Sequence, residues 1–386
     1  MSVTAPRGFV AAGVSAGLKA GPRPDLGLLF SERPAAAAGL FTRNALPAAP
    51  VVIGRRRLEV GTAQAVVVNS GQANAGTGDE GLEDAAAVST AVALALSIDV
   101  DEVLPCSTGV IGPRIDVVRA SEGVRAAAAA LSPSGGDAFA EAILTTDGGP
   151  KQVIVDGEGG FVVGGCAKGA GMIAPDLATL LVFLTTDAAV SSATASAVLR
   201  RTAAPIWNGV TVDGCSSTND TVLLMANGAS GVEPAPEALA EAISVTCTEL
   251  ARRLVSQAEG ATTTLVVQVD GAATDGDART VGRAVAGSLL VKTAVFGRDP
   301  NPGRILQAIG ASGVRLKPWA LEAHIGNVAV IHGGRIPEFS PEACAQAMKE
   351  REVVIRVNLG GGPGSATAFG CDLGYEYVRI NAEYTT

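Results

Sequence analysis

Histidine is almost absent from this chain. Only His324 and His332 occur in 386 residues, both late and in a region that reads as strands. That scarcity argues against a Ser-His-Asp or Cys-His apparatus, so a hydrolase or acyl-transfer enzyme built from this sequence needs another base. Aromatic residues are also few, at 4%. Charged residues make up 17% and sum to −9, which argues against nucleic acid as a partner, because phosphate binding calls for a basic surface. No apolar run approaches the ~20 residues that span a bilayer. The opening MSVTAPRGFVAAG lacks the basic start and long apolar core of a signal peptide, so a cytoplasmic protein is expected. The six cysteines (Cys106, Cys166, Cys215, Cys247, Cys344, Cys371) show no C-x-x-C spacing. They read as buried thiols, and no metal site is expected.

What is abundant is apolar residues, at 47%, and glycine, at 48 positions. Such a chain is globular and long enough to bury a large core. The most informative stretch is Gly164–Ala188, GGCAKGAGMIAPDLATLLVFLTTDA. A glycine-rich loop leads to Pro175, then to Ala178-Thr179, and at once to the apolar run Leu180–Leu184, short enough for a buried strand. Thr179 is either an ordinary β-branched residue opening a strand or a hydroxyl that rigid structure presents to a pocket. The scarcity of histidine means that such a hydroxyl would need a base other than imidazole.

Other segments carry polar residues at element ends. Ala63–Val68 reads as a strand, Asn69–Gly78 as a Gly-rich turn, and Leu82–Leu96 as a helix. That order permits either an anion site at the helix N-terminus or a plain tight connection. Ser107-Thr108-Gly109 follows a strand and holds the inventory of an oxyanion hole, although the bare pattern is common. Leu144-Thr-Thr-Asp147 recurs at Leu184–Asp187, by chance or as two related strand ends. Lys168 in its glycine loop reads locally as a solvated lysine. Phe9–Val14, Leu26–Phe30 and Val51–Ile53 read as strands. Helices are expected over Val117–Leu131, Phe139–Leu144, Ala189–Ala203, Glu237–Gln257 and Asp277–Leu289, and strands around a helix near Pro341–Glu350. Ser217–Asp220 read as a turn network behind a site, and the aromatic, patterned C-terminus as docked.

The fourteen residues KGAGMIAPDLATLL, Lys168–Leu181, resemble the self-cleavage segment of the bifunctional glutamate N-acetyltransferase/ornithine acetyltransferase family of arginine biosynthesis. VNSGQANA, STGVIG, TTD…PK, DGCSSTNDTV, EGAT, VKTA…GRDPNPGR and the ending INAEYTT resemble further segments of that family, in order along the whole chain. The resemblance implies an α/β fold of mixed sheets packed with helices. It also implies a cut between Ala178 and Thr179 into an alpha chain, 1–178, and an interlocked beta chain, 179–386. Thr179 is then the nucleophile, Thr108 and Gly109 hold the oxyanion, and Thr145, Lys168, Thr179, Glu259, Asn381 and Thr386 bind substrate. The implied reaction moves acetyl from N2-acetyl-L-ornithine to L-glutamate in a heterotetramer of two alpha and two beta chains. It needs no cofactor; acetyl-CoA is an optional co-substrate in bifunctional members. The chain departs from the family at Gly148-Gly149, at Thr263 where a lysine is usual, and at Pro302 where a tryptophan is usual. A self-cleaving N-terminal-threonine amidase or aminopeptidase is the alternative enzyme. A structural binding module would predict neither cleavage nor an acyl-enzyme.

Overall fold

Strand β1 (Phe9–Val14) and the long β2 (Leu26–Phe41) are followed by helix α1 (Ala49–Arg57), β3 (Thr62–Gln72) and α2 (Gly78–Leu96). Next come β4 (Val103–Val110), α3 (Val117–Ala129), α4 (Gly136–Ala142), β5 (Lys151–Asp156), β6 (Val162–Lys168), β7 (Leu181–Thr186), α5 (Ser192–Trp207), β8 (Thr221–Ala226) and α6 (Pro236–Ser256). The last part holds β9 (Thr264–Ala272), α7 (Asp275–Ala286), α8 (Leu289–Gly297), α9 (Pro302–Gly310), β10 (Glu322–Ile325), β11 (Val328–Ile331), α10 (Pro341–Ala347), β12 (Glu352–Asn358), β13 (Gly364–Cys371) and α11 (Tyr375–Glu383). The computed structural model describes residues 2–174 and 180–383.

Two mixed sheets result. Eight strands form the first, in the order β4-β3-β2-β8-β7-β6-β5 with β1 on β2; five form the second, β11-β10-β12-β9-β13. This is the α/β architecture of mixed sheets and helices expected from the sequence. β7 shows why: it lies between antiparallel β6 and parallel β8, and all six of its residues are buried. A strand covered on both faces reads as a continuous apolar run. Its even-numbered Val182 and Leu184 join α5 and α6 in one core that extends to Val266 and Phe369 of the second sheet. Its odd-numbered Leu181 and Phe183 join a second core with Phe139 of α4. Phe139 and Phe183 meet edge to face with centroids 5.3 Å apart.

One strand reading needs correction, and two open alternatives are resolved. Val51–Ile53 belongs to helix α1: Pro50 near its start and Arg55–Arg57 in its last turn suit a helix, and three apolar residues are too few to reveal a period. Leu144–Asp147 is not a strand end, because the segment is a loop after α4, whereas Leu184–Asp187 does end β7. The α2 N-terminus carries Asp79 and Glu80 in its first turn, which repel an anion, so the Gly-rich stretch before it is a connection. Of the six thiols, five are buried and Cys215 is exposed. Pro302 opens α9 at a position where proline costs no hydrogen bond, and Asn301 caps the helix.

Candidate active site

A cavity of about 90 Å³ lies where several element ends converge. Thr108 and Gly109 come from the end of β4, Lys168 from the end of β6, Thr145 and Thr146 from the loop after α4, Glu259 from beyond α6 and Asn381 from α11. Residues that lie as much as 273 positions apart in sequence therefore share one pocket. Of the expected site residues, Ala178, Thr179 and Thr386 lie outside the described residues. Leu180, the neighbour of Thr179 in the chain, is buried, and its N–H donates to Asp220 Oδ1 at 3.0 Å.

Lys168 is not solvated; it is 3% exposed. Its ammonium donates to Thr145 Oγ1 at 2.8 Å and to Thr108 Oγ1 at 3.1 Å, and stands 3.9 Å from Asp147. Burial lowers its pKa from the ordinary 10.5, opposed by the charges of Asp147 and Glu259. Because Thr108 Oγ1 accepts from Lys168, its own proton remains to be donated into the cavity. Gly109, at φ +131, lies so close to the Gly71 backbone that a side chain there would overlap it. Only glycine lets β4 turn at that point.

Asp147 is the electrostatic centre of the site. Its carboxylate takes Lys151 Nζ at 2.5 Å, Gly169 N–H at 2.7 Å and Thr145 N–H at 3.0 Å. Burial alone would raise its pKa, but Lys168, Lys151 and these hydrogen bonds hold it well below the carboxylate range. Sequence reasoning assigned no role to Asp147 or Lys151. The signal was the TTD…PK segment itself, in which a carboxylate and a lysine four residues apart both prove to be buried.

Glu259 also lines the cavity. Its Oε1 accepts from the Thr146 hydroxyl at 2.7 Å and its Oε2 from Asn381 Nδ2 at 2.9 Å, while its N–H donates to Ala170 O at 2.9 Å. Gly260, at φ +68, lies directly against the backbone of Tyr377, so α11 seats on a glycine. The loop is fixed from behind by Asp372, which accepts from Thr262 N–H at 2.8 Å and Thr263 N–H at 3.0 Å. Thr263, the residue that replaces the usual lysine, therefore contributes its backbone here.

Ser217, Thr218 and Asn219 were expected behind the site, but they line the cavity itself. Asn219 Nδ2 donates to Ala73 O at 2.6 Å and to Ser107 O at 2.9 Å, tying the 69–78 loop, β4 and its own loop together. Asp213 accepts from Met172 N–H at 2.7 Å, Ile173 N–H at 2.9 Å and the Tyr377 hydroxyl at 3.2 Å. It thereby joins the loop that precedes residue 175 to α11, so the C-terminal helix is docked. The site thus gathers hydroxyl groups, a cation and a carboxylate around one cavity. That arrangement suits an amino-acid ligand and a reacting carbonyl.

Comparison with known proteins identifies the family. The ArgJ family model matches residues 10–386. The chain belongs to the ArgJ family. It is 47% identical over 395 residues to the arginine biosynthesis bifunctional protein ArgJ of Symbiobacterium thermophilum, covering 100% of this chain and 98% of that protein. The namesake protein of a Synechocystis strain is 45% identical over 404 residues, again covering 100% and 98%. Among solved structures, ornithine acetyltransferase complexed with ornithine from Mycobacterium tuberculosis is 47% identical, covering 46% of this chain and 95% of that one, with a TM-score of 0.45. Among the described residues no helix is long and apolar enough to cross a membrane.

Proposed function

We propose that this enzyme moves the acetyl group of N2-acetyl-L-ornithine to L-glutamate through an acetyl ester of Thr179. It is an acetyltransferase of arginine biosynthesis, as its family membership shows. The observation that carries the finer reading is the convergence of Thr108, Lys168 and Glu259 on one small cavity, whose lining residue Asn219 adjoins Asp220, the acceptor of the Leu180 N–H. Self-cleavage between Ala178 and Thr179 yields chains 1–178 and 179–386 and frees the Thr179 amine. That amine takes the hydroxyl proton as the Thr179 oxygen attacks the acetyl carbonyl. The Thr108 hydroxyl and Gly109 backbone stabilise the oxyanion, and Lys168 lends its positive charge. Ornithine leaves with the proton, and the glutamate amine then attacks the ester. Two easier steps replace one difficult step, and the kinetics are ping-pong. Substrate is held by Thr145, Lys168, Glu259, Asn381 and Thr386. The scheme needs no cofactor; acetyl-CoA is the optional second donor of bifunctional enzymes. The two chains pair into a heterotetramer, and the enzyme works in the cytoplasm.

Incubation with acetylornithine and no acceptor tests this reading. One equivalent of ornithine per site should appear in a burst. The burst rate should rise with pH through an apparent pKa near the ordinary amine value of ~7.7–8.0. It should fall again at alkaline pH as Lys168 loses its proton below the ordinary 10.5. Sustained release of free acetate would favour the amidase alternative, and a pH-independent burst would contradict the amine as base.

Glu259→Gln removes the charge that meets the substrate ammonium while keeping the amide partners Thr146 and Asn381. Losing a charge-assisted hydrogen bond costs about 1.5–3 kcal/mol, so kcat/KM for acetylornithine should fall roughly tenfold to a hundredfold with self-cleavage intact. An uncut variant that binds ornithine normally would contradict this role.

A further inference from the structure

A second cavity, of about 510 Å³, adjoins the first and shares Thr145 and Thr146 with it. Arg23, Arg379 and Glu383 stand in its wall. Arg379 is committed to Glu376, which it grips through Nε at 3.0 Å and a terminal nitrogen at 2.6 Å. Arg23 is exposed and makes no ion pair or hydrogen bond among the described residues. It is the outer member of a row of cations. Lys19 lies between: its ammonium donates to Ser70 Oγ at 3.0 Å and Leu144 O at 3.1 Å. Burial lowers the Lys19 pKa first; Asp25 and Asp147 oppose this, and the charges of Arg23 and Lys168 each lower it further, so Lys19 feels the cation on either side of it. Lys168 reaches the inner cavity, and Arg23 ends the row at the outer one.

The two amino acids that exchange the acetyl group are alike at the α-carbon and opposite at the far end. Ornithine ends in an ammonium and glutamate in a carboxylate. A pocket whose inner carboxylate, Glu259, suits the first repels the second. The acceptor therefore needs an uncommitted cation within reach of the same site, and the outer cavity supplies one in Arg23. We propose that this cavity receives the side chain of the acceptor alone, and that Arg23 is the residue that selects glutamate by receiving its side-chain carboxylate. The inference rests on the transfer reading above. Attraction along Lys168, Lys19 and Arg23 speeds entry of the anionic acceptor and does nothing for the cationic product.

The two half-reactions separate the effects. Acetyl-enzyme is formed with acetylornithine, freed of substrate, and mixed with glutamate at low ionic strength. Arg23→Gln should lower kcat/KM for glutamate about threefold to tenfold and leave the rate of acetyl-enzyme formation unchanged, as fits an exposed charge. Arg23→Lys should restore most of the loss, and added salt should shrink the difference between Arg23→Gln and the wild type. An unchanged glutamate rate, or an equal loss in both half-reactions, would overturn the assignment. Failure of the transfer reading looks different, because no acetyl-enzyme would form in any variant. Arg23 is exposed and makes no hydrogen bond or ion pair among the described residues, so the variants should melt with the wild type.

Discussion

Thr179→Ala should remain one uncut polypeptide of 386 residues, fold with wild-type secondary structure, and transfer no acetyl group. The variant has no hydroxyl to attack the Ala178 carbonyl, so the N-to-O acyl shift that opens the chain cannot start. It also has no oxygen to carry the acetyl group. Both activities should be lost entirely, because one atom serves both. Thr179→Ser keeps that atom and loses the methyl that restricts χ1, so it should cut and turn over slowly. Denaturing electrophoresis and an acetyl-transfer assay read the two outcomes. A Thr179→Ala protein that split at this bond, or that still transferred acetyl groups, would refute the assignment.

Asp147→Asn should cost the most stability of any change at the site. It leaves Lys151 and Lys168 buried without their shared anion. Removing one partner of a buried ion pair costs about 3–5 kcal/mol, against a total domain stability of about 5–15 kcal/mol. The Asp147 pKa is lowered on folding, so its contribution is complete above the ordinary carboxylate value of 3.8 and shrinks as the pH falls below it. The gap in melting temperature between wild type and variant should therefore be full at neutral pH and close under acid conditions. Activity should fall too, since Lys168 and the Thr145 amide lose the group that holds them. A variant that melts with the wild type at neutral pH would contradict this role.

Much of the architecture was legible because its segments are periodic. Val117–Leu131 and Glu237–Gln257 alternate apolar and polar faces at helical spacing, and both form helices within two residues of the expected ends. The apolar run that forms β7 is short enough for a covered strand, and it forms one. Legibility failed where tertiary partners overrule local pattern. β2 continues past Phe30 through the polar Ser31–Arg33, because after a register shift it pairs with β3 again at Ala35 and Ala36 and from Ala36 onward also with β8. Lys168 looks solvated locally, but its burial depends on Thr108, 60 positions away, and on Asp147. Asn219 shows the same limit: its partners Ala73 and Ser107 are 146 and 112 positions distant. Motif resemblance pointed to the convergent residues because it carries such distant pairings implicitly. It did not reveal that Asp147 balances two lysines, which is a matter of charge within the folded site.

The central claim is that Thr179 becomes an N-terminal residue and carries the acetyl group. Intact-mass measurement of the purified enzyme before and after acetylornithine tests it most directly, followed by fragmentation of the acetylated species. The account predicts two polypeptides, of 178 and 208 residues, with one acetyl group added only to the second and mapped to its first residue. A single uncut chain that turns over, or an acetyl group on any other residue, would contradict it.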